Sequence, residues 1–339
     1  MLKQRKGFFI GLLILAVNFW GIGVEASGTD FSVQAILPDN QLSNGQTYFD
    51  LLVKAGETQT LQVQLSNGTE QEKTIAIAAN SAVTNNNGQI EYTLADPKLD
   101  PTLQYPFATL AAPPEEVTLS GGETKTVDIP VQIPTEPFSG IILGGLYFTE
   151  KNPPKHETKQ ENVQFDNQFS YTIGVVLQED TAAVEPFLKL QKVAAGQKNG
   201  RNTVFATIQN PQAAIVRDLK VKAAIYRKGD SKPLHEATAA QLKMAPNSRF
   251  DFPISWEDQP FEPGTYKLKL TAATGTDQWN WEKSFTIKKD RANHLNQQAA
   301  ELEPETRKQH LPLYLTAGFL LLLGVFFLGR LSSKRKNNH

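Results

Sequence analysis

The chain has 339 residues, 40% of them hydrophobic and 20% charged, which suits a folded body and leaves room for two domains with extra segments. Its formal net charge of −1 conceals two basic, apolar ends around an acidic body, and an acidic body has no electrostatic footprint for nucleic acid. Cysteine is absent, which excludes disulfides, thiol catalysis, thiolate metal sites and sulfur redox chemistry.

At the N-terminus Lys3, Arg5 and Lys6 precede an apolar run from Phe8 to Val17, and Val24-Glu25-Ala26 follows. That order of basic, apolar and small-residue regions is a secretory signal peptide, so residues 1–26 are expected to be removed and Ser27 to become the first residue. The apolar run is short for a spanning helix, which argues against an uncleaved anchor.

Residues 27–150 are expected to form a β-sandwich. Leu61, Val63 and Leu65 alternate with Gln62 and Gln64 up to a Ser66-Asn67-Gly68 turn, and Ile75 and Ile77 follow. Asn85-Asn86-Asn87-Gly88 reads as a tight hairpin turn, since Asn and Gly accept positive φ and the carboxylates of a calcium loop are missing. Val127, Ile129, Val131 and Ile133 alternate around Pro130, which cannot donate a ladder bond and so predicts an edge strand.

Pro137 to Thr149 carries no charge and contains the most apolar stretch of the body, SGIILGGLYF (Ser139 to Phe148). It is too short to span a bilayer and fits a strand buried on both faces, with a ligand groove as the alternative. Gly144-Gly145 within it predicts a bulge or a close backbone approach. Residues 151–162 are polar and proline-bearing, hence a linker or hairpin loop. Phe169, Tyr171, Ile173, Val175 and Leu177 then share one strand face. That strand either completes the first sandwich as the return arm of a long hairpin or belongs to the second.

Residues 163–303 are expected to form a second sandwich with a short stalk helix. Its strands are marked by Val204, Ala206 and Ile208, by Leu219 to Ile225, by Phe250 to Trp256, by Tyr266 to Leu270 and by Trp279 to Ile287. Ala292 to Leu302, with Leu295, Ala299 and Leu302 at helical spacing, is expected to form that helix, ended by Pro304. With separate cores, the two sandwiches are expected to fold apart.

No catalytic, metal-binding or cofactor-binding residues are expected. Of the five histidines, only His235 falls within a folded domain, so no histidine dyad or metal cluster can assemble there. Nucleophile-elbow, phosphate-loop and zinc-helix motifs are missing, and Glu115-Glu116 reads as a solvated loop. Candidate partner-binding residues are Trp279 and Trp281, which share a strand face, and Asn247 and Ser248 in the turn Ala245 to Ser248. Phe285 and Ile287 continue the tryptophan face, which favours a core role for that pair.

Residues 311–329 form 19 uncharged positions, roughly 28 Å as a helix, enough to cross a hydrocarbon core. The tail 330–339 follows with Arg330, Lys334, Arg335 and Lys336, which places it in the cytoplasm and the body outside the cell. A sortase motif L-P-x-T-G fails here: Glu303 precedes Pro304 and Arg307 stands where glycine is needed, so the helix should be retained.

Several patches resemble the WxL-interacting protein family of Gram-positive bacteria. They are FSVQAILPDNQ (Phe31 to Gln41), YFDL (Tyr48 to Leu51), AGETQTL (Ala55 to Leu61), TNNNGQIEY (Thr84 to Tyr92) and FSGIILGGLYF (Phe138 to Phe148) in the first module. In the second they are YTIGVVLQE, NGRNTVFATIQN, MAPNSRFDFPI (Met244 to Ile254) and the late Trp-x-Trp. The resemblance implies a peptidoglycan-binding module followed by a host-binding module and a C-terminal membrane anchor, with WxL-domain surface proteins as partners and no catalytic residues. The expected whole is therefore mainly β: two tandem immunoglobulin-like sandwiches, a short stalk helix and one transmembrane helix. Its partners would be peptidoglycan, WxL-domain proteins, host extracellular proteins and, through residues 311–329, the lipid bilayer. Two other readings fit the same features. One is a membrane-bound envelope chaperone or assembly factor holding exported proteins by strand addition. The other is a wall-acting enzyme with carboxylates that meet only in the fold.

Overall fold

A computed structural model describes residues 31–43, 45–151, 169–275 and 277–300. The expected signal peptide, nearly all of the 151–162 linker, the 311–329 span and the basic tail lie outside the described residues. Among the described residues no helix is long and apolar enough to cross a membrane.

The first module contains β1 (Phe31–Ile36), β2 (Phe49–Leu52), β3 (Thr58–Asn67), β4 (Lys73–Ser81), β5 (Val83–Thr84) and β6 (Ile90–Glu91). The short helix α1 (Phe107–Leu110) follows, then β7 (Glu116–Leu119), β8 (Thr124–Gln132), β9 (Ile142–Glu150) and β10 (Ser170–Gln178). Among the described residues these strands form a sheet ordered β1-β3-β8, facing a sheet ordered β2-β10-β9-β4-β7, and β5 pairs with β6 as a separate hairpin. Alternation sets the inward face: Leu61 lies opposite Ile129 and Val63 opposite Val127, all buried with Phe31, Phe49, Phe107 and Phe148 in one core. β8 is an edge strand, as Pro130 requires. On its open side the Pro130 carbonyl accepts the Ala112 N–H at 2.9 Å, and Ala111 bridges Val131.

β9 lies between β4 and β10 and is buried on both faces. Ile142, Leu146 and Phe148 enter the sandwich core, while Leu143 points the other way into a separate cluster with Ala82, Val176 and Ala245. The register with β10 runs unbroken through Gly144 opposite Val175 and Gly145 opposite Gly174, so the glycine pair makes a close approach rather than a bulge. A Cβ on Gly144 would sit 2.1 Å from the Phe107 ring, and one on Gly145 would sit 2.9 Å from the Tyr92 Cβ. β10 pairs antiparallel with β9 and parallel with β2, which puts it inside the first sandwich. Ile173, Val175 and Leu177 face that core, whereas Phe169, expected on the same face, is exposed just before the strand begins.

The second module contains β11 (Lys189–Lys198), β12 (Arg201–Asn210), β13 (Val216–Arg227), β14 (His235–Met244), β15 (Ser248–Ser255), β16 (Gly264–Thr274) and β17 (Asp277–Ile287). Helix α2 (Lys289–Gln298) ends it. Among the described residues the sheets are ordered β11-β12-β15 and β14-β13-β16-β17. Their core gathers Trp256 against Phe261 and Tyr266, with ring centroids 4.9 and 5.5 Å away. The expected stalk helix is corrected. α2 starts earlier, at Lys289, and lies on the second sandwich, burying Ala292 and Leu295 one turn apart in its core. Gln197 Nε2 donates to the Leu295 carbonyl at 2.7 Å and Asn202 Nδ2 to Asn296 Oδ1 at 2.9 Å, which fastens the helix to β11 and β12. The helix ends at Gln298 with Ala299 already extended, and Leu302 lies outside the described residues.

Candidate binding sites at the module junction

The β5–β6 hairpin is shaped by its own asparagines. Asn85 Oδ1 accepts the N–H groups of Asn87 and Gln89 at 3.0 and 3.1 Å, and the Gly88 N–H returns to the Asn85 carbonyl at 2.9 Å. Its tip lies on the second module. The Gly88 carbonyl accepts the Lys243 N–H at 2.7 Å, and Asn86 Oδ1 accepts the Asp251 N–H at 3.1 Å. Behind the hairpin the buried hydroxyls of Thr84 and Ser248 are 2.6 Å apart, and Thr84 Oγ1 accepts the Ala245 N–H at 3.0 Å. Asp100 of the first module is buried, with Oδ1 accepting from Gln209 Nε2 at 2.8 Å and Oδ2 lying 3.6 Å from Arg249 Nη1. The Ile141 N–H reaches the Ala213 carbonyl at 2.8 Å. Two separate cores are thus joined by a small apolar cluster ringed with hydrogen bonds.

This junction takes up two of the candidate contact residues. Ser248 is 3% exposed and bonded to Thr84 and to the Ala245 carbonyl, so its hydroxyl is used within the chain. Asn247 holds a left-handed backbone at φ 46°, and its Nδ2 donates to the Pro211 carbonyl at 2.9 Å. A polar turn that reads as solvent-facing is covered here by the first module. Trp279 and Trp281 are half-buried on β17 and pack on the second core. β17 and β14 are opposite edges of one sheet, so the tryptophans and the turn after β14 do not form a common patch.

His235 is buried with its ring tilted against Trp256 at 4.1 Å between centroids, and neither ring nitrogen has a hydrogen-bond partner among the described residues. Burial lowers its pKa below the usual value against the opposing pull of the Glu257 carboxylate, which favours the neutral imidazole. Among the described residues no group of three His, Asp or Glu side chains is placed to hold a metal ion.

Beside the hairpin the two modules enclose a cleft of about 440 Å³. Its floor is the outer face of β9 and β10, lined by Leu143, Thr172, Gly174 and Val176. Tyr92 lies over Gly145 and Tyr48 beside Gly174, and both rings also pack on the junction cluster. The second module supplies Ile215, Arg217 and Lys243. β13 and β14 are irregular at this lip: pairing skips between Val216 and Leu219, and the non-glycine residues Asp218 and Gln241 have φ of 50° and 57°. The irregularity leaves Arg217 exposed, and neither it nor Lys243 forms an ion pair among the described residues. Burial raises the Tyr92 pKa above the usual phenol value, with the Arg217 cation pulling it back. Sequence reasoning did not single out Tyr48, Tyr92 or Arg217. The trace of the site is the three-residue step from Val216 to Leu219 where alternation demands two.

Two family models match the chain: "WxL Interacting Protein, peptidoglycan binding domain" over residues 31–150 and "WxL Interacting Protein, host binding domain" over residues 160–297. No curated protein matches. Among solved structures, a chaperone–tip adhesin complex of CFA/I fimbriae is 11% identical, over 76% of this chain and 98% of that one, with a TM-score of 0.31. The class 5 fimbriae chaperone CfaA is 14% identical over 75% and 98%, with a TM-score of 0.30. The E. coli chaperone DraB is 12% identical over 76% and 95%, with a TM-score of 0.28. Superpositions this poor carry no argument about function. β10 falls in the second matched segment although its hydrogen bonds place it in the first sandwich. With both domains present in tandem and together spanning most of its length, the chain belongs to the WxL-interacting protein family.

Proposed function

We propose that this chain is a non-enzymatic, membrane-anchored surface protein that joins the membrane to the wall and to protein partners. The first module contacts peptidoglycan. The second contacts host extracellular ligands, and WxL-domain surface proteins are its partners on the cell. The observation that carries this reading is the tandem of a peptidoglycan-binding and a host-binding domain on one chain. Support for the anchor comes from the uncharged run 311–329, the basic tail behind it and the failed sorting motif ahead of it. In this reading the body lies outside the cell and the tail in the cytoplasm.

Fractionation of cells tests the anchor. Detergent alone should release the full-length protein, and recovery only after wall-lytic digestion would refute a retained helix. Sedimentation with purified peptidoglycan tests the wall contact. Pull-down of exported WxL-domain proteins from the same cells tests the partnership.

A further inference from the structure

The cleft between the modules has three properties that belong together. Its floor is a small apolar patch of Leu143, Gly174 and Val176, and two tyrosine rings border that floor. An apolar floor beside aromatic rings accepts the apolar face of a sugar, whose hydroxyls find polar groups in Gln89 and Thr172 at the rim. Arg217 and Lys243 then add positive charge from the other module, and neither is neutralised by a carboxylate among the described residues. The contrast with the cleft beside Tyr226 is informative. There Lys267 and Lys269 both pair with Glu282, and Arg227 pairs with Glu262, so three of the four cations lining it are already paired.

We infer that the inter-module cleft is a binding site for an anionic saccharide, with the sugar face on the tyrosines and the anion on Arg217. The site is complete only when both modules are present, since Tyr48, Tyr92 and Thr172 come from the first and Arg217 and Lys243 from the second. The inference rests on the reading that the protein meets wall glycan and names the part of that glycan it would hold: a sugar bearing a nearby carboxylate or phosphate.

The test uses the full-length chain in detergent and titration calorimetry with three soluble probes. These are a disaccharide muropeptide with free carboxylates, a phosphorylated N-acetylglucosamine disaccharide and an uncharged N-acetylglucosamine oligomer. One of the two anionic probes should bind at least tenfold more tightly than the neutral one, and which of them does so identifies the source. Arg217→Gln should weaken that probe about tenfold or more, as loss of a charge-assisted hydrogen bond does. Thr172→Trp, which fills the cleft without changing charge, should abolish binding, while Lys125→Gln on the exposed face of β8 should change nothing. Arg217 is exposed, so its variant should keep the wild-type melting temperature. Equal binding of the neutral oligomer overturns the proposal, as does unchanged binding in Arg217→Gln and Thr172→Trp. If intact peptidoglycan sediments with the protein while no soluble probe binds, the cleft is not the site and the wall reading stands. If neither binds, both fall.

Discussion

Ile142 and Leu143 are adjacent in sequence and face different clusters, one inside the first sandwich and one at the module junction. That division explains why the run from Pro137 to Thr149 carries no charge: a strand covered on both faces has no solvent side on which to place one. The double burial could be read from the run itself, but its second cover could not, because Ala82 and Ala245 are small residues lying far along the chain in unremarkable contexts. Gly144 is the complementary case, since its missing Cβ makes room for Phe107. Ile142→Asp should place an unpaired carboxylate in the first core and destabilise the first module by on the order of 4 kcal/mol. Thermal unfolding followed by near-UV circular dichroism checks it. An unchanged midpoint would mean that Ile142 faces an open groove instead.

Strands were legible wherever one face met water. Leu61, Val63 and Leu65 in β3, and Val127, Ile129 and Val131 in β8, announce themselves by period two, and Pro130 marks its strand as an edge. The same edge bears on the strand-addition alternative: it is already bridged at Ala111 and cannot offer an N–H at Pro130, so an added strand would find it partly occupied. Helix α2 was harder to place, because helical spacing gives a face but not what the face meets. Its polar residue Asn296 accepts the Phe261 N–H at 2.8 Å, which makes it part of the second module. β10 shows how an element's owner is decided by hydrogen bonds rather than by its position along the chain. Between β2 and β9 it supplies both neighbours with backbone partners. A fragment ending at Lys155 should therefore leave two open edges and an uncovered core, whereas one ending at Asp180 keeps the sheet whole. Size-exclusion chromatography should show the shorter fragment aggregated relative to the longer one. A shorter fragment that is monomeric and equally heat-stable would overturn the structural role given to β10.

Two modules with separate cores read as independent folding units, and the cores are indeed separate. The contacts between them argue against independence. They bury the hydroxyls of Thr84 and Ser248 and the carboxylate of Asp100, groups that are costly to leave unpaired; Thr84 finds its partners across the junction, and Ser248 and Asp100 hold partners across it beside those in their own modules. These pairs join residues more than a hundred positions apart, and no periodicity marks them, which is why the junction was not legible in the sequence. Gly140 is the most sensitive point. Its φ is +81°, and a Cβ there would stand 2.3 Å from the Ala213 carbonyl oxygen, which belongs to the backbone and cannot swing aside. Gly140→Ala should thus push the modules apart at Ile141 and Ala213 while leaving both cores intact. Thr84→Val should act more mildly, stranding the Ala245 N–H at a cost of about 1–3 kcal/mol. Differential scanning calorimetry separates the cases. The wild type should melt in one transition, because losing either module exposes the other's junction groups. Gly140→Ala should split that transition in two, and Thr84→Val should lower its midpoint without splitting it. Two transitions in the wild type, or a Gly140→Ala profile that superimposes on it, would show that the junction does not couple the modules.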